Sequence, residues 1–197
     1  MTLQAGENVG SGTYRVMPNS ELLSGSLCMS AIQPEHIELV RQWRNAQMDE
    51  LRQSHPITPE EQEKFFKENV WPDKAVDKPA QILLAIKEGR RLIGYGGLVY
   101  INWEHRRAEV SFLLSEEVEA LPDQRSQVFL DFLNSIKALS FVDLGLNRLT
   151  TETFAHRTRH IETLETAGFK REGTLREHIV MNGKYANSIL HAVIASD

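Results

Sequence analysis

The 197-residue chain is poor in several things, and each shortage excludes something. It has one cysteine, Cys28, which rules out an internal disulfide framework and agrees with a reducing compartment. It has no run close to the roughly 20 apolar residues that a bilayer-spanning helix needs. The N-terminal stretch MTLQAGENVGSGTYRVMPNSELLSGS lacks a basic segment followed by an apolar run, so no secretory signal is read there. Positive charge is not in excess either. With 22 Lys and Arg against 27 Asp and Glu, the net charge is −5, and no sequence-wide basic field exists to attract nucleic acid. The expectation is a cytoplasmic protein that binds neither nucleic acid nor membrane. The last shortage is local. The stretch SFLLSEEVEALPDQRSQVFLDFL, Ser111 to Leu133, reads as a buried strand, a corner and a helix, yet holds no glycine. Such corners often cradle phosphate on glycine-lined backbone, and what this one holds decides the chemistry.

The remaining composition, 41% hydrophobic and 25% charged, suits a single compact domain. Residues 1–25 are rich in Gly, Ser and Asn without periodicity and read as an extension, extended or partly disordered; the domain is placed at 26–197. LCMSAI reads as a strand, and PEHIELVRQWRN as a helix opened by Pro34. Thr58, Pro59 and Glu61 spell a capping box for a second helix. ILLAIKEGRRLIGYGGLVYIN is a hairpin turning near Glu88-Gly89, and RRAEVSFLL continues the meander. Apolar residues at Val128, Phe132, Ile136 and Leu139 mark one face of a long helix. NRLTTETF is a strand, RHIETLETA a helix ended by Gly168, and the C-terminus a hairpin turning at Asn182-Gly183. This order predicts a single-domain α/β fold: a mixed, mostly antiparallel sheet of about seven strands with helices on both faces.

Several residues invite a chemical reading beside a structural one. Glu152 is a lone carboxylate within a strand, and its structural reading is an ion pair with Arg148 or Arg157. At the corner, a helix N-terminus with Arg125 and Ser126 can bind an anion without glycine; alternatively Asp123 or Ser126 simply caps the helix. His156 and His160 are four apart, a metal-like spacing, but no third ligand stands nearby and no metal is expected. The acidic run EEVE reads as a solvated loop.

Four pieces resemble the GNAT acyltransferase superfamily: LVRQWRN; LIGYGGLVYIN with RRAEVSFLL; LGLNRLTTETF; and LETAGFKREGTLREHIVMNGKYANSIL. The likeness covers roughly residues 26 to 195 and is greatest to the branch of ribosomal-protein and amino-sugar N-acetyltransferases. It implies a sheet splayed between RRAEVSFLL and NRLTTETF, the fourth and fifth strands in this count, holding acetyl-coenzyme A. The pantetheine arm would run along Phe112, Leu113 and Leu114, and the pyrophosphate would sit on the helix start at Arg125, Ser126, Gln127 and Val128. Arg157 and His160 would stand beside the phosphates. Glu152 falls where related enzymes often carry a glutamate base, and the oxyanion donor would be a backbone N–H near Leu114. The acceptor pocket would draw on Trp43, Arg44, Asn45, Arg52, Tyr95, Gly96, Arg176, Glu177 and His178, a set suited to an amino sugar nucleotide.

The sequence also departs from the family. The usual pattern Gln/Arg-x-x-Gly-x-Gly/Ala falls, by count, on Arg125, Gln127 and Phe129. Arg157 replaces a common Asn, His160 a small residue, and Leu164 a tyrosine that often protonates the departing thiolate. Tyr185 is the candidate replacement acid, with a packed hairpin tyrosine as its structural reading. The expected reaction is N-acetyl transfer to a small-molecule amine, the expected partners being that acceptor and a second copy in a homodimer. The alternatives are transfer to a protein N-terminal amine, and a degenerate member that binds without catalysis.

Overall fold

A computed structural model of the chain describes residues 10, 12–181 and 183–197. Eight strands form one sheet: β1 (Glu21–Ser24), β2 (Leu27–Ala31), β3 (Ile82–Glu88), β4 (Arg91–Asn102), β5 (Arg107–Leu114), β6 (Arg148–Phe154), β7 (Lys170–Met181) and β8 (Lys184–Ile194). Their order is β1-β2-β3-β4-β5-β6-β8-β7, antiparallel throughout except for the parallel β5–β6 step. The α-helices among the described residues are α1 (Ile37–Ala46), α2 (Pro59–Phe65), α3 (Glu116–Glu119), α4 (Pro122–Ala138) and α5 (Thr158–Thr166). Helix α4 carries the crossover that a parallel pair requires.

Local chemistry explains the element boundaries. Thr58 accepts from the Glu61 N–H and the Glu61 carboxylate takes the Thr58 N–H, so α2 starts on the expected capping box. Strand β3 is buried along Ile82–Ile86 because both of its faces are covered. Ile82, Leu84 and Ile86 join the larger core, with Val128, Phe132 and Ile136 of α4, while Leu83 joins Val40 and Phe66 on the α1–α2 face. Central β5 behaves likewise: Leu114 enters the larger core and Leu113 the smaller. The predicted α/β fold with helices on both faces is therefore the observed one.

The expectation for residues 1–25 needs revision. Tyr14 and Met17 are buried in the larger core, and β1 pairs with β2 across a two-residue Gly25-Ser26 turn, Gly25 having φ of 57°. That hairpin supplies the eighth strand. Residues 1–9 and 11 lie outside the described residues, as does Asn182 of the predicted C-terminal turn. Gly183, its neighbour, has φ of 74°. EEVE is also not a loop: it forms the single turn α3. Neither Asp123 nor Ser126 caps α4, whose N-cap is Leu121, without a side-chain bond, and whose first residue is Pro122. No helix among the described residues is long and apolar enough to cross a membrane.

The feature that positions the site is where β5 and β6 part. They pair only at Arg107–Arg148, Ala108–Leu149 and Glu109–Thr150. Beyond that, Val110–Leu114 and Thr151–Phe154 diverge, and among the described residues no strand pairs with the β6-side edge of Val110–Leu114.

Candidate active site

The divergence opens into a cavity of about 740 Å³ that runs from Ser111 and Phe112 of β5, past Glu152 of β6, to Arg44 and Tyr95 beneath α1. Segment 47–52 spans its mouth and is tied to both lips. Gln47 Nε2 donates to the Leu114 carbonyl at 2.8 Å. Glu50 pairs with Arg157 at 2.6 Å, and Arg52 with Glu109 at 2.7 Å. Asn45 holds the following loop, its Oδ1 accepting from the Ile57 N–H and Gln53 and its Nδ2 donating to the Ile57 carbonyl.

Glu152 stands two residues past the last β5–β6 pair, where the opening begins. Its side chain is 13% exposed, with Arg52 at 3.8 Å and His178 at 3.6 Å. Its Oε1 is buried and has no hydrogen-bond partner. The sequence suggested Arg148 or Arg157 as its ion-pair partner, but Arg148 bonds Glu172 and Arg157 bonds Glu50. His178 reaches Glu152 because β7 bulges between Leu175 and Ile179. In that bulge Glu177 takes φ of 53°, and its N–H donates to Asn187.

The glycine-free corner forms a second, shallower cavity of about 280 Å³ beside Glu119, Arg125, Arg157, Arg159 and His160. Two of its cations are already engaged, Arg125 buried and Arg157 half-buried, while Arg159 is exposed. Arg125 Nε bonds Glu119 Oε1 at 2.7 Å, and Arg157 Nη2 approaches the same oxygen at 3.7 Å. Arg125 Nη2 donates to His160 Nδ1 at 2.7 Å. A guanidinium only donates, so Nδ1 accepts and His160 carries its proton on Nε2. Burial, and then the Arg157 and Arg125 charges, push the His160 pKa well below the usual imidazole value. His160 stacks on Phe129 with centroids 4.1 Å apart, and Phe129 lies 4.4 Å from Phe112, so the corner and the opening share one aromatic wall.

A splayed parallel step, a long crossover helix and a cavity at the divergence define a recognisable frame. The model of the acetyltransferase (GNAT) domain matches residues 29–190. The chain belongs to that family. Among curated relatives, the uncharacterized N-acetyltransferase YoaA of Bacillus subtilis (strain 168) is 25% identical over 109 residues, 55% of this chain and 58% of that protein. Spermidine N(1)-acetyltransferase of Vibrio cholerae serotype O1 is 28% identical over 96 residues, 49% and 53% of the two chains. The chain thus spans little more than half the length of the curated relatives it matches. The crystal structure of spermidine N-acetyltransferase from Vibrio cholerae in complex with CoA and spermine superposes with a TM-score of 0.75 at 20% identity. The overlap covers 87% of this chain and 96% of that one. The likeness in structure is one of fold.

Within this GNAT domain, the residues singled out from sequence scatter to different places. Phe112, Arg44, Arg52, Tyr95 and Glu152 line the larger cavity, Arg125 the corner cavity, and Arg157 and His160 both. Helix α4 begins at Pro122, so Gln127 and Val128 lie beyond its first turn: Gln127 bonds Asp131 on the outer face and Val128 is core. Ser126, half-buried, lines neither cavity. Trp43 packs against the Val40 and Phe66 cluster. A Cβ on Gly96 would come within 2.5 Å of the Ser111 carbonyl and 2.8 Å of the Phe132 ring, so this glycine serves strand and helix approach instead of the pocket. Arg176 and Glu177 are exposed on the bulge and line neither cavity.

One expectation is corrected, and one spacing read as helical is not. Tyr185 is 71% exposed, opposite Val180 near the hairpin tip. It lies five residues along β8 from Leu190, the partner of Glu152, or about 17 Å. It is therefore out of reach as an acid. The His156–His160 spacing is not helical, since α5 starts at Thr158; among the described residues no group of three or more metal-ligating side chains converges. Sequence reasoning missed Gln47, Glu50, Glu109 and Glu119. Glu109 carried the same signal as Glu152, a carboxylate inside a strand. Glu119 was hidden by its acidic neighbours.

Proposed function

We propose that the chain transfers an acetyl group from acetyl-coenzyme A to the amine of a small molecule that also carries a phosphate, most simply an amino sugar nucleotide. The observation carrying this reading is the continuity of one cavity from the β5 edge, past Glu152, to Arg44. Two features fit the donor. Among the described residues, the β6-side edge of β5 beyond Glu109 has no neighbouring strand, and Arg125 Nη1 is buried without a partner. Val110–Leu114 would hold the pantetheine arm, and Arg125 and Arg157 the phosphates. The bound donor supplies a thioester.

Glu152 acts on the acceptor. An alkylamine with a pKa of about 10.4 is mostly protonated at neutral pH, so a base must take its proton. The buried Oε1 of Glu152, without a hydrogen bond among the described residues and 3.6 Å from His178 Nε2, would take it, directly or through a water. Leu164 is fully buried in the core and offers no acid. Releasing a thiolate unprotonated at neutral pH costs about 2 kcal/mol for a thiol of pKa about 8.5, which slows the reaction without stopping it.

The acceptor class follows from pairing. Glu50 of the cavity wall pairs with Arg157, and Glu109 and Glu152 lie beside Arg52. Arg44 bonds only the Tyr95 hydroxyl, at 2.8 Å, among the described residues. A bare polyamine would seek unpaired carboxylates; a phosphate-bearing amine finds Arg44. The test is coenzyme A release from acetyl-coenzyme A with a panel of amino sugar nucleotides, spermidine and peptides with free N-termini. The expected result is turnover with a sugar nucleotide, and a KM raised about tenfold or more by Arg44→Ala. Turnover with spermidine or a peptide alone would overturn the acceptor assignment.

A further inference from the structure

The corner contains a buried guanidinium group, Arg125, a half-buried one, Arg157, and, between them, a carboxylate of the chain itself. Glu119 Oε1 is 2.7 Å from Arg125 Nε and 3.7 Å from Arg157 Nη2. Arg125 is 5% exposed, and its Nη1 has no partner. Three bonding directions of one guanidinium are thereby accounted for: one goes to Glu119, one to His160, and one is unmet beside the cavity.

From this juxtaposition we propose that Glu119 is a built-in competitor for the phosphate of the coenzyme, setting how tightly the donor binds. This rests on the reading of the corner as the phosphate site. The carboxylate oxygen occupies the position between the two cations that a phosphate oxygen would take. In the free protein it keeps the buried Arg125 charge paired, which matters because an uncompensated buried charge is strongly destabilising. When a phosphate enters, the guanidinium groups exchange one oxyanion for another, and Glu119 turns out toward solvent. Glu119 sits at the end of the one-turn helix α3, followed by Ala120, so its side chain can leave without disturbing a strand. Glu50 plays the same part for Arg157 from segment 47–52. A glycine-lined loop binds through backbone N–H groups that have no competing anion. Here side-chain cations replace those groups, and the cations need a resident anion until the ligand arrives.

The test is calorimetric titration of the full chain with coenzyme A and with inorganic pyrophosphate, comparing wild type, Glu119→Gln and the exposed control Asp123→Asn. Melting temperatures are recorded with and without each ligand. Glu119→Gln should bind both ligands at least about fivefold more tightly, since the ligand no longer displaces a charge-assisted bond. It should also melt at a lower temperature than wild type when free, and recover with pyrophosphate. Asp123→Asn should bind like wild type. If Glu119→Gln is folded and binds coenzyme A equally or more weakly, Glu119 is a support for Arg125 and the proposal falls, while the donor assignment stands. If wild type and variants bind neither ligand, the phosphate site falls, and this inference with it.

Discussion

Glu152→Gln should lower kcat/KM for acetyl transfer by about 10²–10³-fold, the range expected for loss of a general base. The loss should fall mainly on kcat, because glutamine keeps the shape of the cavity wall and the amide can still lie beside Arg52. Geometry makes this the most sensitive position in the cavity. Glu152 stands two residues past the last β5–β6 pair, inside the opening, and its Oε1 is buried without a hydrogen-bond partner among the described residues. Burial without a partner is costly, so an atom held that way is poised for a ligand. The deficit should shrink as the assay pH rises from 7 toward 9.5, where more of the amine has already lost its proton. Glu109→Gln is the informative companion. Glu109 holds Arg52 more closely, at 2.7 Å, but lies at the last paired position of β5. Its loss should cost less than about tenfold. If Glu152→Gln kept full activity and merely lowered the melting temperature, Glu152 would be an ion-pair partner of Arg52 and nothing more.

Tyr14→Ala should destabilise the fold by about 4 kcal/mol, measured by urea unfolding at neutral pH. Tyr14 is completely buried in the larger core, and its hydroxyl oxygen accepts from the Leu83 N–H at 2.9 Å. Truncation removes a large aromatic from a packed site and leaves a central-strand N–H without its acceptor. Tyr14→Phe separates the two contributions. It keeps the ring and should cost about 1–2 kcal/mol for the orphaned N–H alone. A loss below about 1 kcal/mol for Tyr14→Ala would return the N-terminal segment to the status of an appendage, independent of the domain.

That segment shows where the sequence misleads. Tyr14, Val16 and Met17 are a short apolar cluster in a polar stretch, too short to show a periodicity that betrays burial. The β1–β2 hairpin did leave a signal, a Gly-Ser dipeptide between LL and LCM, but so short a strand reads as loop. By contrast, the capping box at Thr58–Glu61, the α4 stripe and the apolar run of β5 were all legible, because each follows from a local rule. The site was legible in part. Glu152 stood out as a carboxylate in a strand, and Arg44, Arg52 and Tyr95, singled out as acceptor-side candidates, line the same cavity. Glu119 and Glu50 did not stand out, since what makes them special is a buried cation brought from 6 and 107 residues away. Gly96 and Asn45 illustrate the opposite error. Both are placed by backbone approach and loop stapling, which a motif cannot distinguish from ligand contact.

The most direct measurement is calorimetric titration of the wild-type chain with acetyl-coenzyme A, with unacetylated coenzyme A and ADP as competitors. The account predicts one site per chain in the micromolar range, competed by coenzyme A and more weakly by ADP, which lacks the pantetheine that the β5 edge would hold. No heat, with no thermal shift at about millimolar ligand, would contradict it and leave the divergence of β5 and β6 as an inherited shape without its ligand.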